Sequence, residues 1–153
     1  MISINIVSEE KNWSKKIKKK EVFFHLICKS FPKKYQFINK KIFLTLLLSN
    51  NKCIKKLNKK FRNKNKPTDV LSFPFYEKKQ LIKTIKKNKE VYIGDIIINL
   101  NKIKNKQHKD RFKDELNKLW IHGLVHLFGH QHKKDQDFNT MNKIEKRYLK
   151  YIN

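Results

Sequence analysis

The sequence predicts an α+β domain, a small β-sheet covered by several helices, and three observations predict it. Four short runs rich in β-branched, leucine or aromatic residues lie between residues 2 and 99, with the length and composition of strands. Longer segments carry apolar residues at every third or fourth position, as helices with one buried face require. No helix is evident between the third and fourth runs, and the last third of the chain reads as helical throughout, so strands and helices are segregated rather than strictly alternating. Residues 1–153 read as one domain, without internal repeats.

Taken in order, "ISINIV" (Ile2 to Val7) alternates apolar and polar residues, which suits a half-buried strand. Residues Lys15 to Phe31 place Ile17, Val22, Leu26 and Ile27 at roughly helical spacing, and Pro32 supplies a stop. "KIFLTLLLS" (Lys41 to Ser49) is too short and apolar for a surface helix and reads as a buried strand. Asn50 to Arg62 then forms a helix with Cys53, Ile54, Leu57 and Phe61 on one stripe, followed by the loop "NKNKP". "TDVLSFPF" and "VYIGDIIIN" are the remaining strands, with Gly94 in the second marking a bulge or a close approach. Between them "KKQLIKTIKKNK" reads as a mobile basic loop. A helix from about Asp110 to Phe128 ends at Gly129, and a last helix spans Asp137 to Asn153 with Met141, Ile144, Tyr148 and Ile152 on one side.

Composition narrows the partners. No apolar run approaches the roughly 18 residues of a membrane helix. The first residues lack the basic start, apolar middle and small-residue cleavage site of a secretory signal. A cytoplasmic location and reduced thiols at Cys28 and Cys53 follow as expectations. A formal charge of +25 points to a polyanion, RNA or DNA. Part of that excess belongs to codon composition, because alanine is absent while Lys, Asn, Ile and Phe abound. The same bias makes Arg62, Arg111 and Arg147 informative. Lysine does not replace a planar, bidentate guanidinium where a phosphate must be held in fixed geometry.

The chemistry is concentrated in "LWIHGLVHLFGHQH" (Leu119 to His132), which holds four of the six histidines. His25, alone on its helix, reads as structural or solvated. His122 and His126 are one helical turn apart and can present two nitrogens to one metal ion. A third ligand must come from His130 or His132, and spacing alone leaves both open. Three histidines with no cysteine nearby favour an open, catalytic site over a closed structural one. Gly123 stands where the H-E-x-x-H zinc peptidases carry their glutamate base. The metal cage survives and that base is missing, which disfavours a peptidase.

These residues match a known pattern. "HGLVHLFGHQH" resembles the H-G-x-x-H-L-x-G-[YH]-D-H signature of the YbeY-type endoribonucleases, the bacterial rRNA maturation factors. "LNKKFRNKNKPTDVLSFPF" (Leu57 to Phe75) is similar to that family's L-N-x-x-[FY]-R-x-x-x-x-P-T-D-V-L-S-F-P block. "IGDIIIN" resembles its G-D-I-x-I-S strand, and Met141, Glu145 and Leu149 match its closing M-x-x-x-E-x-x-x-L helix. The blocks cover roughly residues 40 to 150; the first forty add little. The resemblance implies one zinc ion held by His122, His126 and His132, with His130 at a variable position. It also implies a mixed sheet packed against the metal-binding helix. The expected activity is cleavage of single-stranded RNA in the cytoplasm: 16S rRNA 3′-end maturation, rRNA processing and removal of defective ribosomes. The partners it implies are the small ribosomal subunit and other ribosome-assembly proteins. Two departures stand out. Gln131 replaces an aspartate, a change of metal surroundings that can cost about 10–100-fold in affinity or activity. Asn63 replaces a glycine, more mildly, since Asn tolerates left-handed backbone.

The expected mechanism is metal-assisted phosphodiester cleavage. Either a metal-bound water, its pKa lowered towards about 7, attacks, or the ion polarises the phosphate while a 2′-hydroxyl attacks. Arg62 is the expected catalytic cation on the scissile phosphate. Lys64, Lys66, Lys78 and Lys79, with His108, are candidates for salt-dependent contacts to the RNA backbone. Thr68 and Asp69 are expected to brace the loop after Arg62. The rival readings are a zinc-stabilised ribosome- or RNA-binding protein without catalysis, and an unusual metallopeptidase.

Overall fold

The computed structural model describes residues 1–8 and 10–152. Its elements are β1 (Ile2–Ser8), α1 (Asn12–Lys16), α2 (Lys20–Ser30), α3 (Lys33–Gln36), β2 (Lys41–Ser49), α4 (Asn51–Arg62), β3 (Val70–Pro74), α5 (Lys78–Lys87), β4 (Glu90–Asn99), a 3-10 turn (Leu100–Lys102), α6 (Lys109–Leu127) and α7 (Asp135–Leu149). The strands form one sheet in the order β1-β2-β4-β3. β1, β2 and β4 run parallel, and β3 lies antiparallel on the β4 edge. The architecture is α+β with a mixed sheet.

Strand β2 shows how the core is built. Ile42, Leu44, Leu46 and Leu48 are fully buried, while Phe43, Thr45 and Leu47 between them face the other side, half-buried. The buried face joins Ile93, Ile96 and Ile98 of β4 to Trp120, Leu124 and Leu127 of α6 in one cluster. Trp120 ties the helices together: its ring lies edge-on to Phe24 at 5.7 Å and stacks on Phe31 at 6.2 Å, and Phe31 meets Tyr148 of α7 at 4.9 Å. On the opposite face α4 covers only part of the sheet, with Ile54 packed among Leu47, Leu57, Leu71, Phe73 and Ile97.

Gly94 is both a bulge and a close approach. The β2–β4 register steps from Phe43↔Tyr92 to Leu44↔Gly94, leaving Ile93 as the extra residue. Gly94 has φ +135°, and a Cβ there would sit 2.2 Å from the Phe73 carbonyl oxygen. The bulge shifts the alternation, so Ile93 and Ile96 both enter the core while Tyr92 and Asp95 are both half-exposed.

Three expectations are corrected. Lys15 to Phe31 is not one helix, because Ile17 is extended (φ −134°, ψ 106°) and separates α1 from α2. That break resets the helical phase: Phe24, Ile27 and Cys28 are buried, whereas Val22 and Leu26 face solvent. The "mobile basic loop" is the helix α5, since lysine is a good helix former and Leu81, with Ile85 one turn on, packs into the core. The last helix starts at Asp135, two residues earlier than expected, and its expected end at Asn153 lies outside the described residues. The short α3 had no counterpart in the sequence reading.

Candidate functional site

The site begins at the end of α6. His122 and His126 share one face of that helix, and their Nε2 atoms lie 3.1 Å apart. The helix stops at Leu127, and Gly129 (φ +89°) turns the chain back. A side chain at Gly129 would collide with Lys78, 2.6 Å from its Cβ, so only glycine lets this loop pass against the start of α5. The returning chain carries His132 to the pair, its ring centroid 5.0 Å from that of His126 and 5.8 Å from that of His122. One ligand atom from each of the three lies within 4.8 Å of the others.

The hydrogen-bond partners decide which nitrogens are free. His122 Nδ1 lies 2.8 Å from Glu145 Oε1 of α7, and His126 Nδ1 lies 2.9 Å from the His130 carbonyl oxygen. Both oxygens are acceptors, so both Nδ1 atoms carry hydrogen and both Nε2 atoms present lone pairs in the neutral rings. Burial, then the neighbouring His122, holds the His126 pKa down at about 4, so this ring is neutral near pH 7. Two ring nitrogens facing each other at 3.1 Å suit either a shared proton or a metal ion beside them. Tetrahedral zinc with Zn–N bonds of about 2.0–2.1 Å spaces its nitrogens about 3.3 Å apart, so the donor set fits that ion. His130 does not join the group: its carbonyl orients His126, and burial followed by the charge on Lys78 lowers its pKa.

Arg62 closes α4 on the other side. Asn63 follows it with φ +55°, the left-handed conformation that a glycine or asparagine supplies, and its N–H returns to the Lys59 carbonyl at 3.2 Å. Arg62 Nη2 donates to the Ser72 carbonyl of β3 at 3.0 Å, and the guanidinium lies 5.8 Å from the Phe73 ring centroid. The loop from α4 to β3 is tied at both ends. Asn58 Nδ2 donates to the Lys66 carbonyl at 2.8 Å, and Asn99 Nδ2 donates to the Thr68 carbonyl at 3.0 Å. Asp69 Oδ1 accepts from the Val70 N–H at 2.8 Å and from Thr68 Oγ1 at 3.2 Å, a local brace rather than a group facing the histidines.

The two halves meet across β3. A cleft of about 1120 Å³ is lined by His122, His126 and His132 on one side and by Arg62, Lys64 and Lys66 on the other, with Lys78 and Lys79 also in its wall. His108 is not among the residues of this cleft; it precedes α6 at the helix's opposite end.

A family model described as endoribonuclease YbeY matches residues 5–153. The chain belongs to the YbeY family. A relative named endoribonuclease YbeY from Pelagibacter ubique is 56% identical over 155 residues, covering 99% of this chain and 97% of its own. One of the same name from Ehrlichia canis is 32% identical over 151 residues, covering 97% and 91%. The solution structure of TM1509 from Thermotoga maritima superposes with a TM-score of 0.58 at 28% identity, covering 99% of this chain and 89% of that one.

Within this YbeY chain, sequence reasoning passed over Glu145. It noted the residue as part of a helix pattern and gave it no role. The available signal was a carboxylate in the i, i+4 row of Met141, Glu145 and Leu149, a row that turns inward in α7.

Proposed function

We propose that this protein is a zinc-dependent, single-strand-specific endoribonuclease, one catalytic domain spanning residues 1–153, that acts in the cytoplasm on rRNA. Its tasks on this reading are 16S rRNA 3′-end maturation, rRNA processing and ribosome quality control, in contact with the small ribosomal subunit and other assembly proteins. The observation that carries the reading is the convergence of three histidine donors with a buttressed arginine in one basic cleft. Membership in the YbeY family supports the substrate class. Among the described residues, no helix is long and apolar enough to cross a membrane.

His122, His126 and His132 would hold the zinc ion, and Glu145 would orient the His122 ring by accepting its Nδ1–H. When bound, zinc supplies Lewis acidity to water or phosphate oxygen near neutral pH. Arg62, steadied by the Ser72 carbonyl and the Phe73 ring, keeps N–H donors for the scissile phosphate and stabilises the charge that builds on its oxygens. Lys64, Lys66, Lys78 and Lys79 hold flanking phosphates. Position 123 has no room for the peptidase glutamate: Gly123 faces β4, where a Cβ would already be 2.8 Å from Ile96 Cγ2. A peptidase base cannot be built at that position.

The test is cleavage of an end-labelled single-stranded RNA by wild type, His126→Ala and Arg62→Lys, with folding and metal content measured on each. Cleavage by wild type alone, with full metal content in Arg62→Lys, is the expected result. Equal cleavage by wild type and His126→Ala would overturn the assignment. A wild type that binds RNA and needs metal to fold, yet never cuts, would make the zinc structural.

A further inference from the structure

A row of aromatic rings leads out of the cleft across the half of the sheet that α4 leaves open. Phe75, just past β3, lines the cleft and is 66% exposed, and it continues into neighbouring rings rather than standing alone. Its N–H donates to the Ile93 carbonyl at 2.9 Å, so its backbone is held to the sheet even where the strand ends. Its ring meets Tyr92 of β4 edge-on at 6.2 Å, and Tyr92 meets Phe43 of β2 at 5.3 Å. Tyr92 and Phe43 are register partners, and both are half-exposed.

A basic side chain sits at each end of the face, the outer one paired with Glu90 and the inner one facing the cleft. Lys41 Nζ lies 5.7 Å from the Phe43 ring centroid, and Arg62 lies over Phe73, two residues before Phe75. Two carboxylates on this face are already engaged: Glu90 Oε1 by Lys41 Nζ at 3.4 Å, and Asp95 by the Tyr92 hydroxyl, which also shares a 3.0 Å hydrogen bond with Thr45 Oγ1. The two bonds of the Tyr92 hydroxyl fix its ring in place. Rigid exposed rings beside cations are what unpaired bases stack on, with the phosphates between them neutralised. A base-paired strand cannot use them, because its π-faces are already stacked.

We infer that Phe75, Tyr92 and Phe43 form a base-stacking track for the single-stranded RNA segment leaving the cleft, with Phe75 as the first platform. This inference rests on the reading of the cleft as an RNA-cleaving site. Continuity with the cleft and a chain charge of +25 favour a nucleic acid over a protein as the occupant of this face.

The test uses the full chain, its metal bound, and a short labelled single-stranded RNA made 2′-O-methylated to resist cleavage. Fluorescence anisotropy gives Kd for wild type, Phe75→Ala and Phe75→Trp, for the single strand and for its duplex. Losing one base–aromatic stack raises Kd by roughly 5- to 150-fold in Phe75→Ala, for the single strand only, and Phe75→Trp restores it. A single abasic nucleotide walked along the strand should weaken wild type at each stacked position, and leave Phe75→Ala indifferent at the one that Phe75 holds. Wild-type Kd in Phe75→Ala, or additive losses at every abasic position, overturns the track and frees this face for a protein partner. Cleavage of unmodified RNA, followed in parallel, separates the two readings. If wild type cuts while Phe75→Ala binds normally, only the track falls. If wild type binds through Phe75 but never cuts, only the catalytic reading falls. If wild type binds no single-stranded RNA, both fall.

Discussion

Gly123 lies inside α6, where a glycine costs about 0.5–1 kcal/mol relative to alanine, so its presence needs a reason. The reason lies in β4. A Cβ at position 123 would stand 2.8 Å from Ile96 Cγ2 and 3.1 Å from its Cδ1, and Ile96 is fully buried with no room to retreat. Gly123→Ala therefore sets overpacking, about 1–3 kcal/mol, against recovered helix propensity, about 0.5–1 kcal/mol. The balance is destabilising, near 1 kcal/mol, which lowers Tm by about 2–4 °C in a chain of this size. Urea melts of the metal-free protein measure it directly. Ile96→Val gives no relief, because valine keeps the nearest methyl. Ile96→Ala opens the space at its own cost of about 2–5 kcal/mol, and the new Cβ should fill part of that cavity in the double variant. A favourable coupling of at least about 0.5 kcal/mol is expected across the cycle. Strict additivity, or a Gly123→Ala protein more stable than wild type, would refute the close packing of α6 on β4. The same distances exclude a glutamate at 123 as a hidden general base.

Two further predictions concern the histidine site. Glu145→Gln keeps an acceptor on the His122 ring and removes the charge; zinc affinity, measured by competition with a chromophoric chelator, should fall about 10–100-fold with the fold intact, and an unchanged affinity would remove Glu145 from the site. For pH, the unfolded chain protonates His126 near its ordinary value of 6.5, whereas the folded chain refuses that proton until about pH 4. The unfolded state thus binds more protons within this window, so the His126 contribution to the stability of the metal-free protein is fully present above about pH 6.5 and is lost as pH falls towards 4. The slope stays below about 1.36 kcal/mol per pH unit, because partial exposure of the ring screens the effect. Subtracting the His126→Gln titration isolates this contribution; a difference of zero or opposite sign would contradict the half-buried, neutral ring.

What the sequence revealed and what it hid divide along the range of the interaction. His122, His126, Gly129 and Asn63 are legible because helical spacing and backbone handedness are local properties, settled within one or two turns. Gly94 was legible for the same reason, although its partner, the Phe73 carbonyl, was not. Spacing could not separate His130 from His132, because that choice depends on how the loop after Gly129 passes Lys78, a residue about fifty positions away. Spacing does not give the phase of α2, because the break at Ile17 falls inside the apolar run: Ile17 and Ile27 are buried, whereas Val22 and Leu26 face solvent. Lysine bias hid α5, where Leu81 and Ile85 carry the packing signal among five lysines.

Glu145 and the aromatic row were beyond reach for a stronger reason. Each acquires its meaning only across elements, from α7 to α6 in one case and from β2 through β4 to the end of β3 in the other. Gln131 illustrates the consequence. Read along the chain, the loss of the family's aspartate removes a carboxylate from the metal's surroundings. In three dimensions, a carboxylate from α7 already holds His122, and His126 is oriented by a backbone carbonyl that no substitution can delete. Gln131 lines the cleft, but the hydrogen-bond partners that orient these two rings are Glu145 and the His130 carbonyl.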